Sequence, residues 1–177
     1  DLRPCGLPVL GEDAAVLAGY RPDAVLLANG IGGIKNTDVR RSLQMRLEAQ
    51  GWNFATVKHP SAIVSPNAHL GDGVQLMAGS IVQPAAVIGT GSIINTGAII
   101  EHDVHVGDYV HIAPRAVLCG FMSVDSCSHI GAGAVMRQSV QLGRNTLVGA
   151  GAVVERDFGG NGRLLGVPAQ QGTEHLS

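Results

Sequence analysis

The sequence is poor in aromatic and charged residues. Phe, Trp and Tyr make up 3% of its 177 residues, and Asp, Glu, Lys and Arg make up 15%. With so few aromatics, any core must be built from small and branched aliphatic side chains, which predicts a narrow interior. No run of Lys or Arg occurs and the formal net charge is −2. We therefore expect no nucleic-acid partner and no anionic-membrane surface.

Cysteine is also scarce. Cys5, Cys119 and Cys127 are an odd number without a C-x-x-C spacing, so neither a disulfide framework nor a zinc knuckle is predicted. A reducing cytoplasm is the expected compartment. The chain begins with Asp1 and no signal-like segment follows, which we interpret as a true beginning that is missing or renumbered.

Ionisable residues are absent from 73–100. Hydropathy alone would suggest a membrane span there. The segment also contains Pro84, Gln83, Asn95 and five glycines, which a lipid-facing helix would tolerate poorly. The apolar character therefore needs another cause, and we expect no membrane partner.

A strict period of six residues supplies that cause. Sixteen aliphatic or Met residues follow one another at this spacing: Val64, Leu70, Leu76, Val82, Ile88, Ile94, Ile100, Val106, Ile112, Leu118, Val124, Ile130, Met136, Leu142, Val148 and Val154. A small side chain often lies four residues after each of them, as in Ala86 and Ala98. A helix of 3.6 residues per turn drifts out of phase with such a repeat.

A strand followed by a bend can keep this period. Side chains two apart share a face of a strand, so each aliphatic and the small residue two positions before it both point inward. Three such sides close a triangular prism with a small-residue interior, which is the hexapeptide repeat of a parallel β-helix. An antiparallel sandwich predicts alternation with irregular turn spacing and does not fit.

The first third of the chain follows a different pattern. The segment 24–30 predicts a buried strand, 36–51 a helix, and 52–57 a second strand, which together make one β-α-β unit. The helix has Asn36 or Thr37 as N-cap, Gly51 as stop, and an apolar face of Val39, Leu43 and Leu47. The "GIGG" after the first strand is compatible with a phosphate cradle, but a tight turn before the helix is at least as plausible.

Charged side chains concentrate in "IIEHDVHVGDYVHIAP" (99–114), which holds three histidines and three carboxylates. In the register of the repeat, His102 and His111 face outward, and Glu101 and Asp103 flank His102. A histidine beside a carboxylate is a candidate general base. The competing interpretation is a set of solvated outward groups, which explains the local concentration poorly.

The stretch "INTGAIIEHDVHVGDYVHIAP", together with "HPSAIVSP" and the terminal "GVPA", resembles a bacterial sugar O-/N-acetyltransferase family. That family includes sialic-acid O-acetyltransferases and N-acetyltransferases of 4-amino nucleotide sugars such as bacillosamine and perosamine precursors. The resemblance implies a left-handed parallel β-helix (59–154) with three hexads per coil. It also implies a partial Rossmann-like α/β domain for nucleotide-sugar binding before it (1–58), and a C-terminal tail (155–177).

Three hexads per coil place residues eighteen apart directly above one another. Gly120 is then expected over His102, and His129 over His111. A residue without a side chain above His102 leaves the main chain open beside the imidazole, where an N–H can act as a donor.

The resemblance also implies site residues. It assigns the catalytic base to His102 and its acidic partner to Asp103. It assigns acetyl-CoA contacts to His111, Gly120 and Ala132, and substrate contacts to Asn95 and Glu101, in a homotrimer with acetyl-CoA between subunits.

Three departures from the family pattern stand out. The opening glycine-rich strand and turn of the family are absent. Phe121 stands where a second glycine is usual, which is expected to narrow or reshape the acetyl pocket. Gln170 stands where Lys is common, which would remove a phosphate contact.

We therefore predict an acetyl-CoA-dependent acyltransferase that acetylates the amine of a nucleotide-linked 4-amino-deoxy sugar for surface polysaccharide or glycan biosynthesis. A sialic-acid-type O-acetyltransferase and a non-catalytic trimeric sugar-nucleotide-binding scaffold are the alternatives. A zinc-dependent hydratase is a third, but the histidine separations from His102 onward are three, six and eighteen, with no pair five apart. No metal is expected.

Overall fold

The chain folds as a parallel β-solenoid that follows a small α/β unit. The computed structural model describes residues 6–33 and 37–172. The helices are α1 (Asp13–Gly19) and α2 (Asp38–Glu48). In chain order, the strands are β1 (Leu26–Leu27), β2 (Asn53–Phe54), β3 (Val57–Lys58), β4 (Ile63–Val64), β5 (His69–Leu70), β6 (Gln75–Leu76), β7 (Ile81–Val82), β8 (Val87–Ile88), β9 (Ile93–Ile94), β10 (Ile99–Ile100), β11 (His105–Val106), β12 (His111–Ile112), β13 (Val117–Leu118), β14 (Ser123–Val124), β15 (His129–Ile130), β16 (Val135–Met136), β17 (Gln141–Leu142), β18 (Thr146–Val148), β19 (Val153–Val154), β20 (Gly162–Leu165) and β21 (Gln170–Gln171).

Three sheets form the three faces of the solenoid. They contain six strands (β4, β7, β10, β13, β16, β19), five strands (β5, β8, β11, β14, β17) and eight strands (β3, β6, β9, β12, β15, β18, β20, β21). From β3 to β19 paired residues lie eighteen apart, as Ile99 does with Val117 and with Ile81. The predicted coil of three hexads is confirmed, and the six-stranded sheet carries one strand from each of six coils.

The interior is the aliphatic column that the period of six predicts. From Leu76 to Val154 every sixth residue is buried, and the small residues Ala86, Ala98, Ala116, Ala134 and Ala152 are buried between them. Val64 and Leu70, in the first complete coil, are only partly buried. The narrow core is therefore one continuous cluster that runs along the solenoid axis.

The corners of the prism share one unusual backbone conformation. Every sixth residue from Gly73 to Gly151 has a positive φ, between 54° and 66°. Eight of these corner residues are not glycine, and they include Ala85, Asp103 and Phe121. The left-handed region costs an L-residue about 1–2 kcal/mol, so each such corner is held by the ladder bonds of the coils around it.

The sheets extend beyond the sixteen-residue series at both ends. Before it, β3 pairs with β6 in the eight-stranded sheet. After it, β20 pairs in parallel with β18, and β21 closes the sheet as an antiparallel strand. Residues 162–171, which the sequence assigns to a tail, thus continue the eight-stranded face.

The N-terminal segment contains the predicted β-α-β unit in a reduced form. Strands β1 and β2 pair in parallel on either side of α2, but each has only two residues. The expectation of a buried first strand was wrong at Leu26, which is 66% exposed. The predicted second strand, 52–57, is divided, since Asn53–Phe54 pairs with β1 and Val57 begins the solenoid.

Helix α2 buries only part of the apolar face predicted for it: Leu47 is buried and Leu43 packs against the same cluster, but Val39 is exposed. The helix begins at Asp38 after the N-cap Thr37, whose side chain makes no capping bond; the alternative N-cap, Asn36, lies outside the described residues. Val39 was expected on the apolar face but is 66% exposed. The buried residues of the helix are Arg40, Gln44 and Leu47.

A separate small core holds this unit together. Leu47, Trp52 and Phe54 are buried against one another. Of the helices in residues 6–33 and 37–172, none is both long and apolar enough to cross a bilayer.

Candidate active site

His102 lies on the corner between the six- and five-stranded sheets, just after β10. Its Nδ1 and a carboxylate oxygen of Asp103 are 2.9 Å apart, and the two side chains are 49% and 44% exposed. Asp103 is a corner residue with φ 58°, and this backbone turn aims the carboxylate back at the preceding ring. The pairing leaves Nε2 as the ring nitrogen available to a substrate.

Gly120 lies directly over the imidazole, as the eighteen-residue spacing predicts. A Cβ built on Gly120 would lie 2.7 Å from Cε1 and 2.9 Å from Nε2 of His102. Only glycine leaves room for the ring here. The imidazole therefore packs against main chain without a side chain. This is the place where the sequence predicts a main-chain N–H donor beside the base.

Phe121 completes this corner. Its N–H donates to the carbonyl of His102 at 3.1 Å. Its ring centroid lies 5.0 Å from that of the imidazole, with the planes at 84°. The phenyl ring is therefore the immediate neighbour of His102 on the solvent side.

A second cluster lies on the eight-stranded sheet. Asn95 Nδ2 is 3.0 Å from Nε2 of His111, and His111 Nδ1 donates to the carbonyl of Gly33. The rings of His111 and His129 meet edge to face with centroids 4.9 Å apart, which confirms their predicted stacking. His111 points out of the prism but is only 8% exposed, because the loop that ends at Gly33 covers it.

Burial keeps both of these rings neutral. Desolvation lowers the pKa of His111, and the nearby Arg40 cation lowers it further, while the bond to Gly33 opposes the shift. Desolvation and the neighbouring His111 lower the pKa of His129 to about 4. A neutral His111 with its proton on Nδ1 accepts the Asn95 amide at Nε2, so the pair is internally consistent.

Arg40 fastens the covering loop to the solenoid. Its Nη1 donates to the carbonyls of Asn29 at 2.8 Å and Ile31 at 2.7 Å, and its Nε donates to Gly91 at 2.8 Å. The side chain is 1% exposed, and burial lowers its pKa. The sequence interpretation missed this residue. The signal was the spacing Arg40, Gln44, Leu47, which competes with the apolar series that starts at Val39.

The two clusters lie on opposite sides of one protomer. The corner that holds His102 is the one opposite the eight-stranded face that holds Asn95 and His111. Glu101 is half-buried beside His102, whereas Ala132 is exposed on the corner between the eight- and six-stranded sheets. The structure thus brings together His102, Asp103, Glu101 and Gly120, and separately Asn95 and His111.

Metal ligation has no support in this geometry. Across the described parts of the chain, no group of three His, Cys, Asp or Glu side chains is arranged to hold a metal ion. Cys119 is partly exposed, Cys127 is buried, and both are free thiols.

Comparison with known proteins places this architecture among bacterial transferases. The family described as bacterial transferase hexapeptide (six repeats) matches residues 67–102 and 85–120. No curated protein sequence matches the chain.

Solved structures give closer relatives. The acetyltransferase domain of PglB from Neisseria gonorrhoeae is 33% identical, with 94% of this chain and 80% of that chain covered and a TM-score of 0.88; the same domain was also solved in complex with acetyl coenzyme A. PerB from Caulobacter crescentus, solved in complex with CoA and GDP-perosamine, is 38% identical over 78% of this chain and 67% of that chain, with a TM-score of 0.77. A mutant of GDP-perosamine N-acetyl transferase from the same organism is 37% identical, with 80% of this chain and 67% of that chain covered and a TM-score of 0.77. With a coil register, a corner histidine and relatives of this kind, the chain belongs to the sugar N-acetyltransferases of the hexapeptide-repeat acyltransferase family.

Proposed function

We propose that this protein transfers the acetyl group of acetyl-CoA to the amine of a nucleotide-linked 4-amino-deoxy sugar, in the biosynthesis of a surface polysaccharide or glycan. The observation that carries the proposal is the His102–Asp103 pair, held on an exposed corner under the bare main chain of Gly120. The relatives solved with acetyl coenzyme A, or with CoA and GDP-perosamine, support the choice of substrates.

His102 acts as general base. The Asp103 carboxylate accepts a hydrogen bond from Nδ1–H of His102 and so fixes the tautomer in which Nε2 carries the lone pair. As the neutral sugar amine attacks the thioester carbonyl, Nε2 takes a proton from the nitrogen. Collapse of the tetrahedral intermediate breaks the C–S bond, and the imidazolium returns the proton to the departing CoA sulfur.

The main-chain N–H of Gly120 supplies the electrostatic stabilisation of the tetrahedral intermediate. In the described residues this N–H donates to no backbone carbonyl, so it remains available to the developing oxyanion. One such donor contributes on the order of 3 kcal/mol where removal has been measured in other enzymes. Glycine also keeps the reacting atoms close to the main chain, since any side chain would occupy the space of the ring.

The remaining contacts require a second protomer. We infer a homotrimer in which acetyl-CoA lies between neighbouring subunits, since His102 and the Asn95–His111 pair face opposite ways in one chain. Ala132 and His111 then contact acetyl-CoA, and Asn95 and Glu101 contact the sugar. Both ring nitrogens of His111 are already hydrogen-bonded within the protomer.

The N-terminal unit is the proposed nucleotide site. A cavity of about 300 Å³ opens at the carboxyl end of β1, where Asn29, Gly30 and Ile31 meet Asp13 and Phe54. On this basis we assign the N-terminal unit to a Rossmann-like domain. We assign the solenoid a left-handed winding from its resemblance to the family. The free thiols of Cys119 and Cys127 are compatible with a cytoplasmic protein.

Acetyl transfer to a panel of UDP-, GDP- and dTDP-linked 4-amino sugars tests the function directly. We expect thiol release that depends on the sugar, and an acetylated product by mass spectrometry. His102→Ala should lower kcat by about 10²- to 10⁴-fold with little change in the Kd for acetyl-CoA. His69→Ala is the matched control, since His69 is also exposed and occupies the same solenoid. Unchanged turnover in His102→Ala would refute the role of His102 as the base. Acetyl transfer to a hydroxyl acceptor but to no amine would show that the acceptor group is a hydroxyl.

A further inference from the structure

The side chain of Phe121 has no structural role in the prism. It points outward and is 55% exposed, while its neighbour Met122 fills the core at 1% exposure. Phe121 also has φ 60°, a conformation that disfavours bulky side chains. Every corner residue of the solenoid shares this region, and Tyr109 is another aromatic corner residue. Tyr109 is buried, whereas the ring of Phe121 is exposed beside His102 and contributes no buried area to the core.

The phenyl ring is placed where an acceptor must approach. With Nδ1 of His102 engaged by Asp103, the reacting amine has to come within about 3 Å of Nε2. That nitrogen lies beside Gly120, and the phenyl ring packs edge to face against the same imidazole. At a centroid distance of 5.0 Å nothing fits between the two rings. The phenyl ring therefore forms a wall of the space that holds the carbon atoms next to the amine.

The chemistry of this wall is apolar. Asp103 and Glu101 provide the polar groups of the corner, whereas Phe121 offers a flat hydrocarbon surface. A sugar ring carries an apolar C–H face beside its polar substituents, and a deoxygenated position enlarges that face. Burying such a face against an aromatic ring is favourable, whereas a hydroxyl at the same place would lose its hydrogen bonds to water.

We propose that Phe121 is a specificity-determining residue for the acceptor. It packs against the apolar face of the sugar ring, holds the amine at Nε2 of His102, and favours acceptors that lack a hydroxyl on the carbon facing it. The inference rests on the proposed function, because it assumes that His102 receives the amine of a sugar. It places the phenyl ring against the sugar instead of in the acetyl pocket, where the family resemblance puts its effect, so binding of the nucleotide and of acetyl-CoA should not depend on the ring.

Phe121→Ala is the decisive variant, since the chain already accepts Ala at this type of corner. Ala85 occupies the corner two coils below, with φ 61°. The substitution removes the ring without a new demand on the backbone, and thermal melting is expected to stay at or above the wild-type value. Phe121→Tyr keeps the ring and serves as the conservative rescue.

Calorimetric binding without an acyl donor separates the contacts. For the UDP-, GDP- or dTDP-linked 4-amino sugar that the wild-type protein binds, we expect Phe121→Ala to raise Kd by about 10- to 100-fold. Binding of the matching nucleoside diphosphate alone should stay within twofold, and Phe121→Tyr should restore sugar binding. In turnover assays, KM for the sugar should rise and KM for acetyl-CoA should not.

Each result decides between the two claims. Equal affinity of wild type and Phe121→Ala for the sugar nucleotide would overturn the role of Phe121, whatever the activity. An equal loss for the nucleoside diphosphate would also overturn it, because the effect would not come from the sugar. Sugar-nucleotide binding that depends on Phe121, without any acetyl transfer, would contradict the proposed function but support the contact between Phe121 and the sugar. No binding of any amino-sugar nucleotide would overturn both.

Discussion

At the scale of single residues, the site depends on one missing side chain. The imidazole of His102 occupies the space that a Cβ on Gly120 would take. The ring is the exposed end of a flexible side chain, so it can move away, whereas the main chain of the coil above cannot. The base and the main chain above it are therefore coupled through steric fit.

Gly120→Ala should separate activity from stability. Ala132 already occupies the same hexad position two corners onward, so the backbone accepts the residue type, and the melting temperature should change little. The new methyl group displaces the imidazole, and kcat should fall by about 100-fold. Full activity with the imidazole unmoved in a crystal structure of the variant would contradict this steric coupling.

The sequence specifies this corner because the period is local. A register of six with eighteen residues per coil is enough to place Gly120 over His102 and His129 over His111. It does not predict that His111 is covered, because the cover comes from Gly33, which lies 78 residues earlier in the chain. Contacts between the N-terminal unit and the solenoid follow no repeat.

At the scale of elements, the turns set the distance between coils. Gly89 directly follows a core strand, and a Cβ there would lie 2.4 Å from the carbonyl carbon of Gly107 and 2.6 Å from the nitrogen of Asp108. These are main-chain atoms of the next coil, about 4.8 Å above. A side chain at this point can fit only if two rungs separate.

Gly89→Ala should therefore destabilise the solenoid by about 3 kcal/mol. Gly79→Ala is the matched control, because its Cβ meets open space and only the left-handed φ of 66° opposes it, at a cost of about 1 kcal/mol. Urea unfolding at one fixed protomer concentration measures both values. Equal destabilisation by the two substitutions would contradict the role given to coil spacing.

Helix α2 illustrates where reasoning from an element's own sequence stops. Hydrophobic periodicity selects the face of Val39, Leu43 and Leu47, because it assumes an apolar partner. The partner is instead a solenoid surface with main-chain carbonyls such as that of Gly91, which a guanidinium satisfies. The helix therefore buries Arg40 against the solenoid, while Leu43 and Leu47 of the predicted face pack in the small core and Val39 stays exposed.

At the scale of the whole molecule, the N-terminal α/β unit contacts the solenoid at two titratable side chains, His111 and His129. The loop that Arg40 fastens covers His111 and faces His129. Both histidines are kept neutral, and the pKa of His129 is lowered to about 4 from an ordinary value near 6.5. Above pH 6.5 neither the folded nor the unfolded chain protonates this group. Between pH 6.5 and 4 the unfolded chain takes up the proton and the folded chain does not. The free energy of unfolding therefore decreases as the pH is lowered through this range.

His129→Leu should remove this share of the acid sensitivity. Leu147 occupies the same column one coil above, so the substitution matches an existing neighbour. The wild type should lose about 1 kcal/mol per pH unit through His129, less than full linkage because water reaches part of the ring, and the variant should show a shallower slope. Denaturant unfolding from pH 7.5 to 4.5 measures it, with the exposed His69→Leu as control; parallel slopes in all three proteins would contradict the assignment.

The corner residues, each with φ near 60° and spaced by six from Gly73 to Gly151, limit how the chain length can change. Deletion of one residue would exchange the inward and outward positions of every later side chain. Deletion of six would move every later strand to the next sheet, and the Asn95–His111 surface would no longer lie under the N-terminal unit that covers it. Only gains or losses of eighteen leave all three columns in line. Descendants of this gene should therefore differ in height by whole coils, with the histidine corner kept in the same angular position.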